Sequence, residues 1–310
     1  MKKFMKICRK EQMELKAWLE KVLKGKYKNV VNEDGFLYAK GNIPVLLTAH
    51  MDTVHKDRCT EITISKGNGR TVLSSPQGIG GDDRCGIWII YKILTKSKLK
   101  PYILFCEDEE IGGVGSGKFV KTKYVDELSE VKYLIELDRA NKDDAVYYDC
   151  GNEEFKDYIE HMVGYKENWG SFSDIGHLSP ACDKASVNLS CGYYNAHTLQ
   201  EYVVFEEMEH TFKVVQFLLD NIEDSEFYDY QEMEWFSKET TSTYGEWWSK
   251  SSYSNEFDVT GYEIIFEDEN GKEDCYFTEA LSYDEAIGRF LIEHDNLTFK
   301  NVLDYYEYAV

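Results

Sequence analysis

The chain has 310 residues, and its 57 Asp plus Glu against 35 Lys plus Arg leave a formal charge of −22. An acidic balance of this size excludes a sequence-independent grip on nucleic acid, which needs clustered positive charge, and equally a polybasic contact with anionic lipid. A hydrophobic content of 43% with 23 Tyr, 16 Phe and 6 Trp is ample for a buried core and excludes wholesale disorder.

Met1 to Lys10 starts basic, but charges interrupt it before an apolar stretch can form, so no signal peptide is expected. No apolar run approaches the ~20 residues that span a bilayer. The eight cysteines are scattered without a C-x-x-C pair. They read as buried core residues in a cytoplasmic protein rather than as disulfides or thiolate ligands. Apolar positions at helical spacing (Met13, Leu15, Trp18, Leu19, Val22, Leu23) predict an amphipathic helix over about 9–24. Residues 28–40 read as a hairpin around Asp34-Gly35, and Pro44–Ala49 as a strand covered on both faces. A second hairpin pairs 61–65 with 71–75. The glycine-rich stretch Gly78-Ile-Gly-Gly81 opens a helix over about 84–95. Buried strands at 102–106, 131–137 and 185–191 alternate with helices at about 117–128, 153–161 and 205–222. That alternation predicts an α/β domain on a mainly parallel central sheet.

From residue 224 the texture changes. Residues 225–258 are rich in Tyr, Trp, Ser and Glu without a clear period. Strands at 261–266 and 273–277 then flank the turn 268–271, a capping box Ser282-Tyr-Asp-Glu285 starts a helix to about His294, and a last strand lies near 302–306. The expected organisation is a catalytic domain over 1–223, an aromatic-rich connecting segment over 224–258 and a small α+β unit of ββαβ order over 259–310.

Five clusters of ionisable residues fall at the ends of predicted strands or the start of a helix. They are His50-Met-Asp52, Gly80-Gly-Asp-Asp83, Glu107-Asp-Glu-Glu110, Asp138 and Asn195-Ala-His197. Each alone has a bland reading: a surface His–Asp pair, a helix N-cap, a solvated acidic face. Together they converge, because the carboxyl ends of parallel strands share one edge, where ligands bind. Asp52, Asp82, Asp83, Glu109, Glu110 and Asp138 cannot all stay ionised there without counter-charge. Like charges ~4 Å apart repel by about 4 kcal/mol at an effective dielectric near 20. A set of His nitrogen and carboxylate oxygen without thiolate suits zinc or a related divalent metal in an open site. It is large enough for two ions ~3.5–4 Å apart that share one carboxylate.

Thr48-Ala-His-Met-Asp-Thr-Val54, Gly78-Ile-Gly-Gly-Asp-Asp-Arg-Cys-Gly86, Glu107-Asp-Glu-Glu-Ile-Gly112, Glu136-Leu-Asp138 and Tyr194-Asn-Ala-His-Thr198 together resemble the co-catalytic dizinc exopeptidases. That family includes peptidase T, the carboxypeptidase G and acetylornithine deacetylase group, and lidless aminopeptidases. The likeness covers about residues 40–220. It implies the three-layer zinc-exopeptidase fold. It also implies that His50, Asp82 and Asp138 hold one ion, that Asp82 bridges, and that Glu110 and His197 complete the second. Either member of the Asp82–Asp83 pair suits the bridge. Asp52 would orient His50, and Glu109 would act as general base on a water acidified by metal. The ions implied are two Zn²⁺, with Co²⁺ or Mn²⁺ as alternatives.

The chain also departs from the family. Only 58 residues separate Asp138 from His197, too few for the dimerising lid of many relatives, so a lid-mediated dimer is not expected. The lid histidine that helps hold the oxyanion has no counterpart. Tyr193 or Tyr194 is the candidate donor to that oxyanion, with a packed strand-end aromatic as the equal alternative. Ser173 and Asp174, in a loop over 170–177, are candidates to line the substrate pocket. Gly112-Gly-Val-Gly-Ser-Gly-Lys-Phe119 matches a phosphate-loop pattern, but Phe119 stands where the Mg²⁺-binding hydroxyl belongs, and nucleotide binding is rejected. The expectation is an aminopeptidase-type hydrolase of short peptides. The alternatives are a deacylase or amidase acting on an N-acylated small molecule such as an N-acyl amino acid, or a non-catalytic binding protein using Trp235, Trp247 and Trp248 as a partner patch.

Overall fold

The computed structural model describes residues 1–170, 172–233, 260–267, 272–280, 286, 290 and 302–309. The chain forms two compact units, Met1–Glu234 and Trp235–Val310. In chain order the first contains α1 (Lys2–Cys8), α2 (Gln12–Lys24), β1 (Val30–Glu33), β2 (Phe36–Ala39), β3 (Ile43–His50), β4 (Thr63–Gly67), β5 (Arg70–Ser74) and α3 (Gly81–Lys96). There follow β6 (Pro101–Cys106), α4 (Val114–Phe119), β7 (Tyr133–Arg139), β8 (Asp144–Val146), α5 (Glu153–Val163), β9 (Lys166–Asn168) and α6 (Asp174–Cys182). The last are β10 (Ser186–Ser190), β11 (Tyr193–Tyr194), β12 (Tyr202–Val204) and α7 (Phe205–Asp220).

Eight strands form the main sheet in the order β1-β2-β6-β3-β7-β10-β8-β9. Its centre is parallel: β3 pairs with β6 and β7, and β7 with β10. A smaller antiparallel sheet runs β11-β12-β5-β4. Alternation along the buried strands divides the core between the two faces. Val45, Leu47 and Ala49 join side chains of α1, α2, α3, α5 and α7, whereas Leu46, Leu104 and Leu134 join Phe119 of α4 and Ile175 and Leu178 of α6. The result is the expected three-layer α/β architecture. No helix among the described residues is long and apolar enough to cross a membrane.

The helix expected over 9–24 is α2, and a further helix, α1, precedes it. Phe4, Ile7 and Cys8 give α1 its own buried face, so the basic start folds onto the core. The helix expected over 117–128 stops at Phe119. There the Thr122 hydroxyl donates to the Phe119 carbonyl (2.8 Å) and accepts from the Tyr124 N–H (3.2 Å), a local bond that competes with helix continuation. From Asp174 onward the loop expected over 170–177 is instead the start of α6, because Ile175, Leu178 and Cys182 bury one stripe despite Pro180. Seven cysteines are buried, Cys275 is exposed, and none is bonded to another.

In the second unit β13 (Thr260–Glu267), β14 (Glu273–Ala280) and β15 (Val302–Ala309) form an antiparallel sheet in the order β14-β13-β15. Ala286 and Phe290 are helical and buried, and the Phe290 ring lies 4.8 Å from Phe266 and 5.7 Å from Tyr276. Trp235, Trp247, Trp248 and the capping box at 282–285 lie outside the described residues.

The contact that sets the depth of α3 on the sheet is glycine-dependent. A Cβ on Gly86 would lie 1.9 Å from the Leu137 carbonyl oxygen of β7 and 2.7 Å from both carboxylate oxygens of Asp83. Gly86→Ala therefore forces α3 off β7. The expected cost is about 1–3 kcal/mol, read as a lower urea midpoint, and an unchanged midpoint would refute this packing account.

Candidate metal centre

The four central strands end along one edge, and that edge gathers the ionisable residues. His50 is the last residue of β3, and Asp138 the next-to-last of β7. Glu109 and Glu110 open a one-turn 3-10 helix just past β6. Asp82 and Asp83 stand at the start of α3 with non-helical backbone, across a cis peptide bond, and regular helix begins only at Arg84. His197 comes from the turn between β11 and β12, in a left-handed conformation at φ 64°.

These segments, remote in sequence, meet. His50 Nε2 lies 2.8 Å from Asp82 Oδ1 and 3.5 Å from Asp138 Oδ1. His197 Nε2 lies 3.3 Å from Asp82 Oδ2 and 3.0 Å from Glu110 Oε2. Ligand-type atoms of His50, Glu109 and Asp138 lie within 4.8 Å of one another, as do those of His50, Asp82 and Glu110. Asp82 offers one oxygen to each histidine, whereas Asp83 faces the backbone, accepting from the His50 N–H (3.2 Å) and the Gly86 N–H (2.8 Å). Asp52 accepts from His50 Nδ1 at 3.1 Å and from the N–H groups of Glu109 and Glu110, each at 3.1 Å. One carboxylate thus aligns the strand-end histidine with the acidic turn.

The Glu107–Glu110 run divides by role. Glu107 turns away to a buried pair with Lys16 (2.8 Å) and the Gly35 N–H (2.8 Å). Asp108 accepts from Gln12 at 3.0 Å. Only Glu109 and Glu110 face the cluster. Tyr193 is buried with its hydroxyl on the Asp138 carbonyl (3.2 Å) and Oδ1 (3.3 Å), and the Tyr194 hydroxyl donates to Glu207 at 2.6 Å. Both hydroxyls expected as oxyanion donors are therefore engaged by carboxylates. Asp174, expected to line an open pocket, is fully buried in the first turn of α6, because the apolar stripe of that helix draws it against the sheet.

Sequence reading missed two supports. Asn188 of β10 donates to the Asp138 carbonyl (3.1 Å) and accepts from its N–H (2.9 Å). Its only signal is one amide within a short strand. Glu201, bonded to His55 at 2.7 Å, has no signal beyond lying near His197.

The electrostatics of the cluster call for positive charge. Burial, reinforced by the Asp82 charge, pushes the Asp138 carboxyl up to about 8. Burial likewise raises Glu109 well above the usual carboxylate range, and it raises Glu110 with help from Asp82. Burial works against protonated His197, but hydrogen bonds to Asp82 and Glu110 outweigh it and push the imidazole up to about 12. Among the described residues the ion pairs of Asp82, Glu110 and Asp138 are with histidine alone. The nearby Arg84 guanidinium is bonded instead to the carbonyls of Met51, Asp52 and Lys10. Among the described residues Glu110 Oε1 is buried without a hydrogen-bond partner. Carboxylate and imidazole donors, an unpartnered oxygen and too little positive charge fit a divalent-cation site.

The same fold occurs in solved peptidase structures. Aminopeptidase PepT from Bacillus cereus ATCC 10987 matches with a TM-score of 0.56 and 16% identity, over 72% of this chain and 98% of that one. A tripeptidase from Staphylococcus aureus matches with a TM-score of 0.55 and 12% identity, over 71% and 96%. Aminopeptidase APDkam598 from the archaeon Desulfurococcus kamchatkensis matches with a TM-score of 0.54 and 10% identity, over 71% and 95%. The chain has the fold of these peptidases, as the motif resemblance implied. No protein-family model and no curated protein matches its sequence.

The split of the Asp82 oxygens between two histidines yields a measurable asymmetry. Titration of chelator-treated protein with Zn²⁺ should fill two sites in the wild type. Asp82→Asn should weaken both, whereas Glu110→Gln should weaken one. Two intact sites in Asp82→Asn would remove Asp82 from the centre of the cluster.

Proposed function

We propose that the chain is a metal-dependent exopeptidase of aminopeptidase type that cleaves amide bonds of short peptides and uses two divalent ions, zinc first with cobalt or manganese as alternatives. The observation that carries this reading is the meeting of His50, Asp82, Glu110, Asp138 and His197 in one buried cluster at the carboxyl edge of a peptidase-type sheet. His50, Asp82 and Asp138 would hold one ion, Glu110 and His197 the other, and Asp82 both. Bound ions supply Lewis acidity, which polarises a scissile carbonyl and acidifies water.

The rest of the chemistry belongs to the chain. Glu109, beside Glu110 on the same turn, takes a proton from the attacking water and returns it to the leaving amine nitrogen. Asp52 accepts the Nδ1 proton of His50, which leaves Nε2 as the ligating nitrogen, and its bonds to the N–H groups of Glu109 and Glu110 hold base and ligand in one frame. The acidic rim attracts the free α-amine of a peptide and disfavours a substrate whose amine is blocked. Eight unpaired cysteines suit a reducing, cytoplasmic compartment. The stretch between Asp138 and His197 builds core elements from β8 to β11, so no lid-mediated dimer is proposed.

Glu109→Gln tests the mechanism. Zn²⁺ content should persist while turnover of a dipeptide or tripeptide falls by about 10²–10⁴-fold, and unchanged turnover would end the assignment. Peptides with acetylated α-amines should resist the wild-type enzyme. Faster cleavage of N-acyl amino acids than of free peptides would instead make the protein a deacylase.

A further inference from the structure

Glu201 has no exposed surface and follows His197 by four residues. Its Oε1 accepts from the Asp82 N–H at 2.9 Å. Its Oε2 accepts from the Gly80 N–H at 2.8 Å and pairs with His55 Nε2 at 2.7 Å. His55 is itself packed tightly: a Cβ on Gly78 would lie 2.2 Å from its Nδ1. One carboxylate therefore joins three segments, 50–55, 78–82 and 197–201, and these carry His50, Asp82 and His197.

His50 ends a regular strand, but the other two segments do not place their side chains by regular structure. Asp82 has a non-helical backbone at ψ 104°, and His197 sits at φ 64°. The separation of the two side chains, 3.3 Å between His197 Nε2 and Asp82 Oδ2, must be fixed by something that spans both segments. Glu201 is one residue that does so directly. The chemistry also selects a carboxylate. Two backbone N–H groups and an imidazole nitrogen point at one side chain, and only a group with acceptors at both ends satisfies all three. An amide would set its NH₂ against a backbone N–H on one side or the other.

We propose that Glu201, anchored by His55, is a positioning residue that fixes the spacing of Asp82 and His197 and thereby the geometry of the cation site they would share. The proposal rests on the reading of the cluster as a cation site. It is tested by Co²⁺ binding, followed by calorimetry and by the visible d–d absorption, which reports ligand geometry independently of turnover. Far-UV circular dichroism would establish folding.

Glu201→Gln should bind Co²⁺ about 10–100-fold more weakly with an altered visible band. His55→Leu, which removes the third donor, should move both readouts in the same direction. His55→Gln should restore them, because its amide nitrogen can donate to the same carboxylate. A merely structural role would lower the melting temperature without changing the band. If Glu201→Gln binds Co²⁺ with wild-type affinity and spectrum, the proposal is overturned and the hydrolase reading stands. If the wild type takes up no Co²⁺, both fall. Should Glu201→Gln not fold, identical bands in His55→Leu and the wild type overturn the proposal.

Discussion

Acidic groups crowded into a buried rim, whose ion pairs among the described residues are with imidazoles, set the terms for this structure. Each close pair of ionised carboxylates costs about 4 kcal/mol at an effective dielectric near 20, and burial strengthens the repulsion. Lysine or arginine side chains would relieve it, but Arg84 bonds backbone carbonyls and Lys16 pairs with Glu107 on the far side of the motif. Among the described residues, the relief at hand is the raised proton affinity of Asp138, Glu109 and the two histidines. A cation does the same work without neutralising the oxygens, and this is why the arrangement reads as a binding site and not as a surface feature.

The fold meets that constraint by topology. Parallel strands β6, β3 and β7 lie side by side, so chain turns leaving them emerge a few ångströms apart. Residues far apart in sequence become neighbours without long loops. The helices then lock the arrangement from both faces. On one, α3 approaches β7 closely enough that Gly86 has no room for a Cβ. On the other, α4 and α6 cover the strand residues of opposite parity. The site inherits its rigidity from this sandwich, whose core is formed by residues with no chemical role.

How much of this was legible in the sequence follows from what each signal depends on. The buried strands are continuous apolar runs, and Pro44–Ala49, Tyr102–Cys106 and Val131–Leu137 all appear where those runs lie. The smallest strands, β8, β9, β11 and β12, have two or three residues each, too short for any period to show. Gly176 and Pro180 masked α6, whose burial against the sheet overrides their poor helix propensity. Composition cannot separate Asp82 from Asp83, because adjacent identical residues differ only in where a non-helical backbone aims them. The same limit applied to Glu107 through Glu110, of which two face the cluster and two do not.

The contrast between ligands and their supports has a chemical origin. A residue that could offer a lone pair to a cation must be one of very few types, so the candidates His50, Asp82 or Asp83, Glu110, Asp138 and His197 stand out by type and by their place at a strand end, a helix start or a turn. A residue that orients a ligand need only present an acceptor or donor at the right point. Asp52 does this with a carboxylate, Asn188 with an amide and Tyr193 with a phenol. Only Asp52 lies near its ligand in sequence, so only Asp52 was visible as a support before the fold was known. Asn188 reaches Asp138 across 50 residues and Glu201 reaches Asp82 across 119. Spacing along the chain therefore brings out the candidate ligands of such a centre, whereas only folded geometry brings out what supports them.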